Sequence, residues 1–320
     1  MNPEVQENIA QALGKGPLED FAPIPGGKSG AQLYGFHIGP EQYIVKCSDP
    51  ARPFHTLRAE HEYACARAAA ERGVAPAVYY TSVEQGISVI ARVNGNPFRG
   101  EPGQIERLTT ALQKLHSGPA FPAGQKLSTV LTSIQEQVRS QNEEGLPPFL
   151  FQTLSELVAL LEKFPTAPCH HDLNPTNLLD TGEQVYFFDW DTACMSDPYI
   201  DLAQLGVFGL PPFVQQHILA TYLGHAPTEI EQAHYQIAHL VALGFYSAAF
   251  LQLVSWENKS LATLADPLSM PELLQALGAR SENATPDVIA SSLVAEFNRE
   301  AVLPEFTSAK QTLSSLGQIL

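Results

Sequence analysis

The spacing of apolar residues divides the chain into an early part with a two-residue period and a later part with a helical one. Segments 42–47 (QYIVKC), 78–83 (VYYTSV) and 87–93 (ISVIARV) are rich in β-branched and aromatic side chains, and the turn-like Glu84-Gln85-Gly86 separates the last two. Between the first two runs lies RAEHEYACARAAAERG, an alanine-rich helix with Gly73 as its stop. The pattern predicts strands, a helix and more strands up to about residue 95.

After Asn94-Gly95-Asn96-Pro97 the period lengthens. Ile105, Leu108, Leu112 and Leu115 share one helix face, as do Leu154, Leu157, Val158, Leu161 and Phe164. Within this helical part, NLLD (177–180) and VYFFD (185–189) read as short strands of a hairpin around Thr181-Gly182. The stretch from Gln232 to Trp256 contains no Asp, Glu, Lys or Arg and is long enough to cross a bilayer. His239, Ser247, Gln252 and Ser255 interrupt it and basic flanks are lacking, so a helix in the core of a large lobe is the expectation, without a membrane. Beyond Glu257 the chain reads as mixed helix and loop.

The whole chain of 320 residues exceeds the usual size of one domain, ~100–200 residues. Eighteen basic residues against 34 acidic ones leave a net charge of −16, which repels phosphate backbones and disfavours a nucleic-acid partner. The four cysteines, Cys47, Cys65, Cys169 and Cys194, form no CxxC pair and suggest neither a zinc motif nor a disulfide framework. The opening residues MNPEVQENIA lack a basic-then-apolar signal, and a cytoplasmic location is expected.

The densest polar constellation is Cys169-His170-His171-Asp172-Leu173-Asn174-Pro175-Thr176-Asn177, followed by Phe188-Asp189-Trp190-Asp191. One loop supplies a carboxylate, Asp172, and five residues later an amide oxygen, Asn177. A hairpin then returns a second carboxylate, Asp189, from the end of an apolar strand. Hard oxygen ligands in this arrangement suit magnesium, which takes one or two carboxylates and leaves positions for phosphate oxygens and water. The remaining carboxylate can orient a hydroxyl.

HHDLNPTNLL resembles the H-x-D-x-x-x-x-N catalytic loop of the protein-kinase-like fold, and FFDWDTACMSDPYIDLA resembles the metal-binding stretch of the aminoglycoside phosphotransferase and choline kinase superfamily. Protein kinases would show D-F-G at the second motif. The wording Met195-Ser196-Asp197-Pro198 is similar to bacterial choline kinase-like members. The resemblance covers about residues 20–255 and implies a bilobal α+β protein. Its nucleotide-binding lobe would hold an antiparallel sheet (residues 1–94), and a larger, mainly helical lobe (residues 95–320) would carry catalysis and the acceptor.

The same resemblance implies roles. Asp172 matches the acid that accepts or orients the acceptor's proton, and Asn177 and Asp189 match the magnesium ligands. His170 matches a loop-bracing histidine, and Asp201 an acid that tethers the loop backbone. Upstream, Gly26, Gly27 and Ser29 resemble the phosphate loop, although Gly30 stands where the family commonly has Asn. Lys46 matches the strand lysine that pairs with the nucleotide phosphates. Glu62 is its best-matched acidic partner and Glu60 the alternative.

For the acceptor, Trp190, Asp191 and Tyr199 flank the metal acid in sequence, and carboxylates beside aromatic faces suit a cationic amine. Tyr246 and Trp256 fit core packing first, with a cage around the cation as the alternative. ATP and Mg2+ are therefore the expected cofactors and a small cationic alcohol the expected partner, choline or ethanolamine ahead of an aminoglycoside or thiamine. The segment after Glu257 has either a pocket-covering or a homodimer-forming role.

Rival readings are weaker. Gly27-Lys28-Ser29 imitates the tail of a phosphate-binding P-loop but lacks its first glycine, and the histidines form no paired metal motif. A non-catalytic pseudokinase module would commonly have lost one of Lys46, Asp172, Asn177 and Asp189.

Overall fold

The protein is described from a computed structural model, which covers residues 3–24, 31–50, 55–122, 126–257 and 259–316. In chain order its helices are α1 (Pro3–Leu13), α2 (His55–Glu71), α3 (Pro102–His116), α4 (Leu127–Arg139), α5 (Pro148–Leu161), α6 (Pro198–Val207), α7 (Pro212–Leu223), α8 (Glu229–Trp256), α9 (Met270–Gly278), α10 (Pro286–Ala301) and α11 (Pro304–Leu316). Its strands are β1 (Glu19–Ile24), β2 (Gln32–Ile38), β3 (Glu41–Cys47), β4 (Val78–Ser82), β5 (Ile87–Ala91), β6 (Asn96–Pro97), β7 (Ala167–Cys169), β8 (Leu178–Asp180), β9 (Val185–Phe187) and β10 (Cys194–Ser196). The chain forms two compact units, residues 1–124 with 175–193, and residues 125–174 with 194–320.

The first unit is built on an antiparallel sheet of order β1-β2-β3-β5-β4. Alternation along the strands decides what each face carries. Phe36, Ile38, Tyr43, Val45, Ile87 and Val89 form one core with Ile9 of α1. Lys46, adjacent to Val45, therefore leaves the opposite face, paired across the sheet with Leu33 and Ser88.

Strands β6, β8 and β9 make a second small sheet in the same unit. Arg107 of α3 fixes it: its Nε donates to Asp180 Oδ1 at 2.7 Å and a terminal nitrogen to Oδ2 at 2.6 Å. The hydrogen bonds from Arg107 hold the Asp180 carboxyl below its ordinary range. A depressed carboxyl contributes stability that is present above its unfolded pKa and lost as the pH falls through the folded one. Arg107→Ala leaves a buried acceptor without its partner and is expected to cost roughly 1–3 kcal/mol near neutral pH. The cost shrinks in acid as Asp180 is protonated, which urea melts at two pH values will show.

The second unit is helical. α8 is its central element, packed by α4, α5, α6, α10 and α11. Thr228 and Glu231 close a capping box at its start: the Glu231 amide donates to the threonine hydroxyl and the Thr228 amide to the glutamate. By length and composition α8 could cross a membrane, but several of its polar groups are matched inside the unit. His234 meets Asp197 at 2.6 Å, Ser247 donates to Leu243 O, Gln252 donates to Gln137, and Ser255 accepts from Asn142. A buried polar group with a partner suits a protein core.

The structure trims β4, β5, β8 and β9 by one or two residues relative to the runs read from the sequence, and adds further elements. α1, β1 and β2 were not foreseen, and α9, α10 and α11 resolve the segment read as mixed helix and loop. α5 ends at Leu161, so Phe164 lies beyond the helix whose face it seemed to extend and tilts against His234, with ring centroids 4.6 Å apart.

Candidate active site

The loop after β7 is held by its backbone. Asp201, fully buried in the first turn of α6, accepts the His170 amide at 2.8 Å and the His171 amide at 2.9 Å. Gln204, one turn further on, accepts the Leu173 amide at 3.1 Å and donates to His171 O at 2.6 Å. α6 can offer both side chains on one face because they are three residues apart. Asp197 starts this helix as its N-cap, accepting from the Tyr199 amide at 2.9 Å.

The clamped loop adopts a bend that most residues avoid: His171 has φ +64°. His170 is fully buried, and its Nδ1 accepts the Asp172 amide at 3.2 Å, which assigns the ring proton to Nε2. The half-buried Asp172 side chain accepts at Oδ1 from Asn174 Nδ2 (2.9 Å) and from the Tyr246 hydroxyl (3.0 Å). The carboxylate is thus oriented by two donors on one oxygen.

In the sheet unit, Lys46 Nζ donates to Glu62 Oε1 and to Asp189 Oδ1, each at 2.7 Å. Burial alone would lower the pKa of this lysine, but the charges of Glu62, Asp189 and Asp191 outweigh it and hold the ammonium above its ordinary value. Glu60 is exposed and Glu62 is the residue joined to Lys46. The helix that carries Glu62 is also anchored by its neighbour: His61 Nε2 lies 2.5 Å from Ala193 O.

Asn177 and Asp189 reach the same end of the β8–β9 hairpin, where Leu178 pairs with Phe187 and the Phe188 amide donates to Asn177 O at 3.0 Å. Asn177 is buried in a short 3-10 turn, Pro175–Asn177, and Asp189 has φ +66°. An amide oxygen and a carboxylate at one hairpin end are hard donors of the kind magnesium takes, so these residues fit the ion.

The remaining expectations fall unevenly. Gly26, Gly27 and Ser29 lie outside the described residues. Trp190 is a core residue of its unit rather than an open ring face: it is 3% exposed, packs edge-on against Phe121, and donates from its indole N–H to Phe187 O. Asp191 is partly exposed and contributes its charge to the Lys46 cluster. Tyr199 stacks on His234 with centroids 4.2 Å apart, and burial pushes its phenol up to about 12. Trp256 ends α8 and is exposed. Ten residues of helix, ~15 Å of rise, separate it from Tyr246.

Two contributors to the loop were not singled out from the sequence for what they do there. Gln204 gave no signal. Tyr246 was noted only as an aromatic on an uncharged helix, and its bond to Asp172 joins residues 74 positions apart.

Comparison with known proteins bears on the family and the fold. Residues 20–238 match the phosphotransferase enzyme family known as APH. A LicA homolog of Mycoplasma capricolum is 26% identical over 114 residues, 35% of this chain and 47% of that protein, so the match spans about half of the curated relative's length.

Among solved structures, a choline/ethanolamine kinase family protein from Mesorhizobium loti aligns with a TM-score of 0.65 at 22% identity, covering 97% of this chain and 98% of the other. The choline kinase LicA from Streptococcus pneumoniae aligns at 0.61 and 17% identity, covering 98% of each chain. LicA in complex with AMP aligns at 0.59 and 17% identity, covering 98% of this chain and 97% of that one.

The fold is therefore the kinase-like one, with an N-terminal antiparallel sheet and a larger helical part. With more than half of its length matched to one family, the chain belongs to the phosphotransferase enzyme family.

Proposed function

We propose that the protein transfers the γ-phosphoryl group of ATP to the hydroxyl of choline or ethanolamine, acting in the cytoplasm. The observation that carries the proposal is the pair of prepared groups at the two motifs. One is a carboxylate, Asp172, oriented by Tyr246 and Asn174; the other is a half-buried ammonium, Lys46, held by Glu62 and Asp189.

Phosphoryl transfer asks the protein mainly for positioning and charge neutralisation. Lys46 supplies positive charge to the nucleotide phosphates, and Glu62 keeps its side chain from swinging away. Asp172 orients the acceptor hydroxyl and takes its proton as the new oxygen–phosphorus bond forms and the bond to the ADP oxygen breaks. Asp201 and Gln204 keep the loop under Asp172 in one conformation. Asn177 and Asp189 would hold magnesium, which when bound neutralises charge on the phosphate oxygens. The assignment of a cationic alcohol draws on the choline and ethanolamine kinases of the same fold and on a surplus of acid in this chain.

The test is ADP release from Mg-ATP with choline, ethanolamine, thiamine, an aminoglycoside and no acceptor. Choline or ethanolamine is expected to give kcat/KM at least about tenfold above the others, a discrimination that a fitted pocket readily supplies. Faster turnover of the aminoglycoside or thiamine would overturn the acceptor assignment. No response to any alcohol would favour a nucleotide-binding module without transfer activity.

A further inference from the structure

Tyr246 lies in the middle of α8 with its ring edge-on to Phe208, centroids 4.6 Å apart. A tyrosine taken largely out of water usually finds a partner for its hydroxyl. Here the partner is the carboxylate of Asp172, and hydrogen bonds to charged oxygens are the stronger kind. Asn174 donates to the same oxygen. Two donors fixed in direction on one oxygen restrict rotation of the carboxylate about its last side-chain bond. Its plane is then set before an acceptor arrives, which removes a reorganisation step from the reaction.

We propose that Tyr246 is a positioning residue for phosphoryl transfer, acting through Asp172 rather than by caging the acceptor or filling core space alone. The inference rests on the reading of Asp172 as the group that takes the acceptor's proton. α8 suits the task because it is the best-supported element of its unit, packed by five other helices. A hydroxyl mounted there moves less than one carried on the loop itself.

The phenol stays a donor throughout the working range: burial pushes its pKa well above the ordinary value, and the negative charges of Asp172 and Asp201 add to this. Asp201, from α6, is committed to the His170 and His171 amides. Two further titratable pairs stand where α6 and α10 meet α8, Asp197 with His234 and Glu300 with His239, and Tyr199 of α6 stacks on His234.

The experiment compares the full-length parent, Tyr246→Phe, Asp172→Ala and the double variant, using Mg-ATP and the acceptor turned over fastest in the panel above. Tyr246→Phe keeps the ring and its contact with Phe208, so its melting midpoint should stay close to the parent's. Its kcat is expected to fall about tenfold or more, the worth of a hydrogen bond to a charged group, with KM for ATP unchanged. The double variant should turn over at the rate of Asp172→Ala, since Tyr246 has nothing left to position.

Parental kcat in Tyr246→Phe, beside a slow Asp172→Ala, would overturn the inference alone. So would a double variant that falls below Asp172→Ala by the same factor as the single one. Parental turnover by Asp172→Ala would overturn the functional reading itself.

Discussion

Replacing Asp172 with alanine is expected to slow phosphoryl transfer by about 10²–10⁴-fold, the usual contribution of a positioned general base. The same substitution should also lower stability, for a reason separate from catalysis. It strips the acceptor from the Tyr246 hydroxyl and from Asn174 Nδ2. Losing a partly buried hydrogen bond costs roughly 0.5–1.5 kcal/mol. Asp172→Asn separates the two effects, because its amide oxygen can still accept from tyrosine while it has little power to take a proton. The asparagine variant should therefore be as slow as alanine yet melt nearer the parent. Turnover and thermal unfolding measured on the same preparations will check both. An asparagine variant with parental turnover would remove Asp172 from the chemistry.

The second large effect is expected on removing the chain after residue 257. α10 and α11 pack on α8, and Ile289, Leu293, Phe297, Ala309 and Leu313 are buried. The closest fit is at Gly244, where a Cβ would stand 2.8 Å from the Phe297 ring and 2.9 Å from Leu154. Phe297 therefore lies against the α8 backbone itself. Phe297→Ala alone is expected to cost about 3–5 kcal/mol, comparable with the stability of a whole domain. Deleting both helices would uncover an apolar side of a helix already long enough to enter a bilayer. The truncated chain should lose its cooperative melt, bind a hydrophobic dye and aggregate. A sharp transition at the parental temperature would show that α8 holds its place without these helices.

The sheet was partly legible because β3, β4 and β5 are β-branched and aromatic, a composition that fits a half-buried pleated surface. β2 escaped notice since QLYGFHI contains Gly35 and His37 and shows no strong alternation. Its strand character comes from pairing with β3 along its full length, which local sequence does not reveal.

α1 is held by the fully buried Ile9, and only tertiary packing distinguishes it from a polar arm. At the site, the polar constellation points to Asp172, Asn177 and Asp189, and the family resemblance adds Lys46. Choosing Glu62 over Glu60 needed the helix phase. The Asp172 partner on α8 could not be read, since nothing local links residues so far apart. The burial of Trp190, offered by the sequence as an acceptor-pocket residue, was not legible, because the left-handed backbone at Asp189 breaks strand alternation and neighbouring side chains no longer point where a strand would send them.

That left-handed residue filters its own replacements twice. A position that needs an anionic oxygen admits aspartate or glutamate, while a positive φ favours glycine, asparagine or aspartate. Aspartate alone passes both filters. An exchange for glutamate, neutral by the measure of charge, would still set backbone preference against the turn that brings the carboxylate to Lys46.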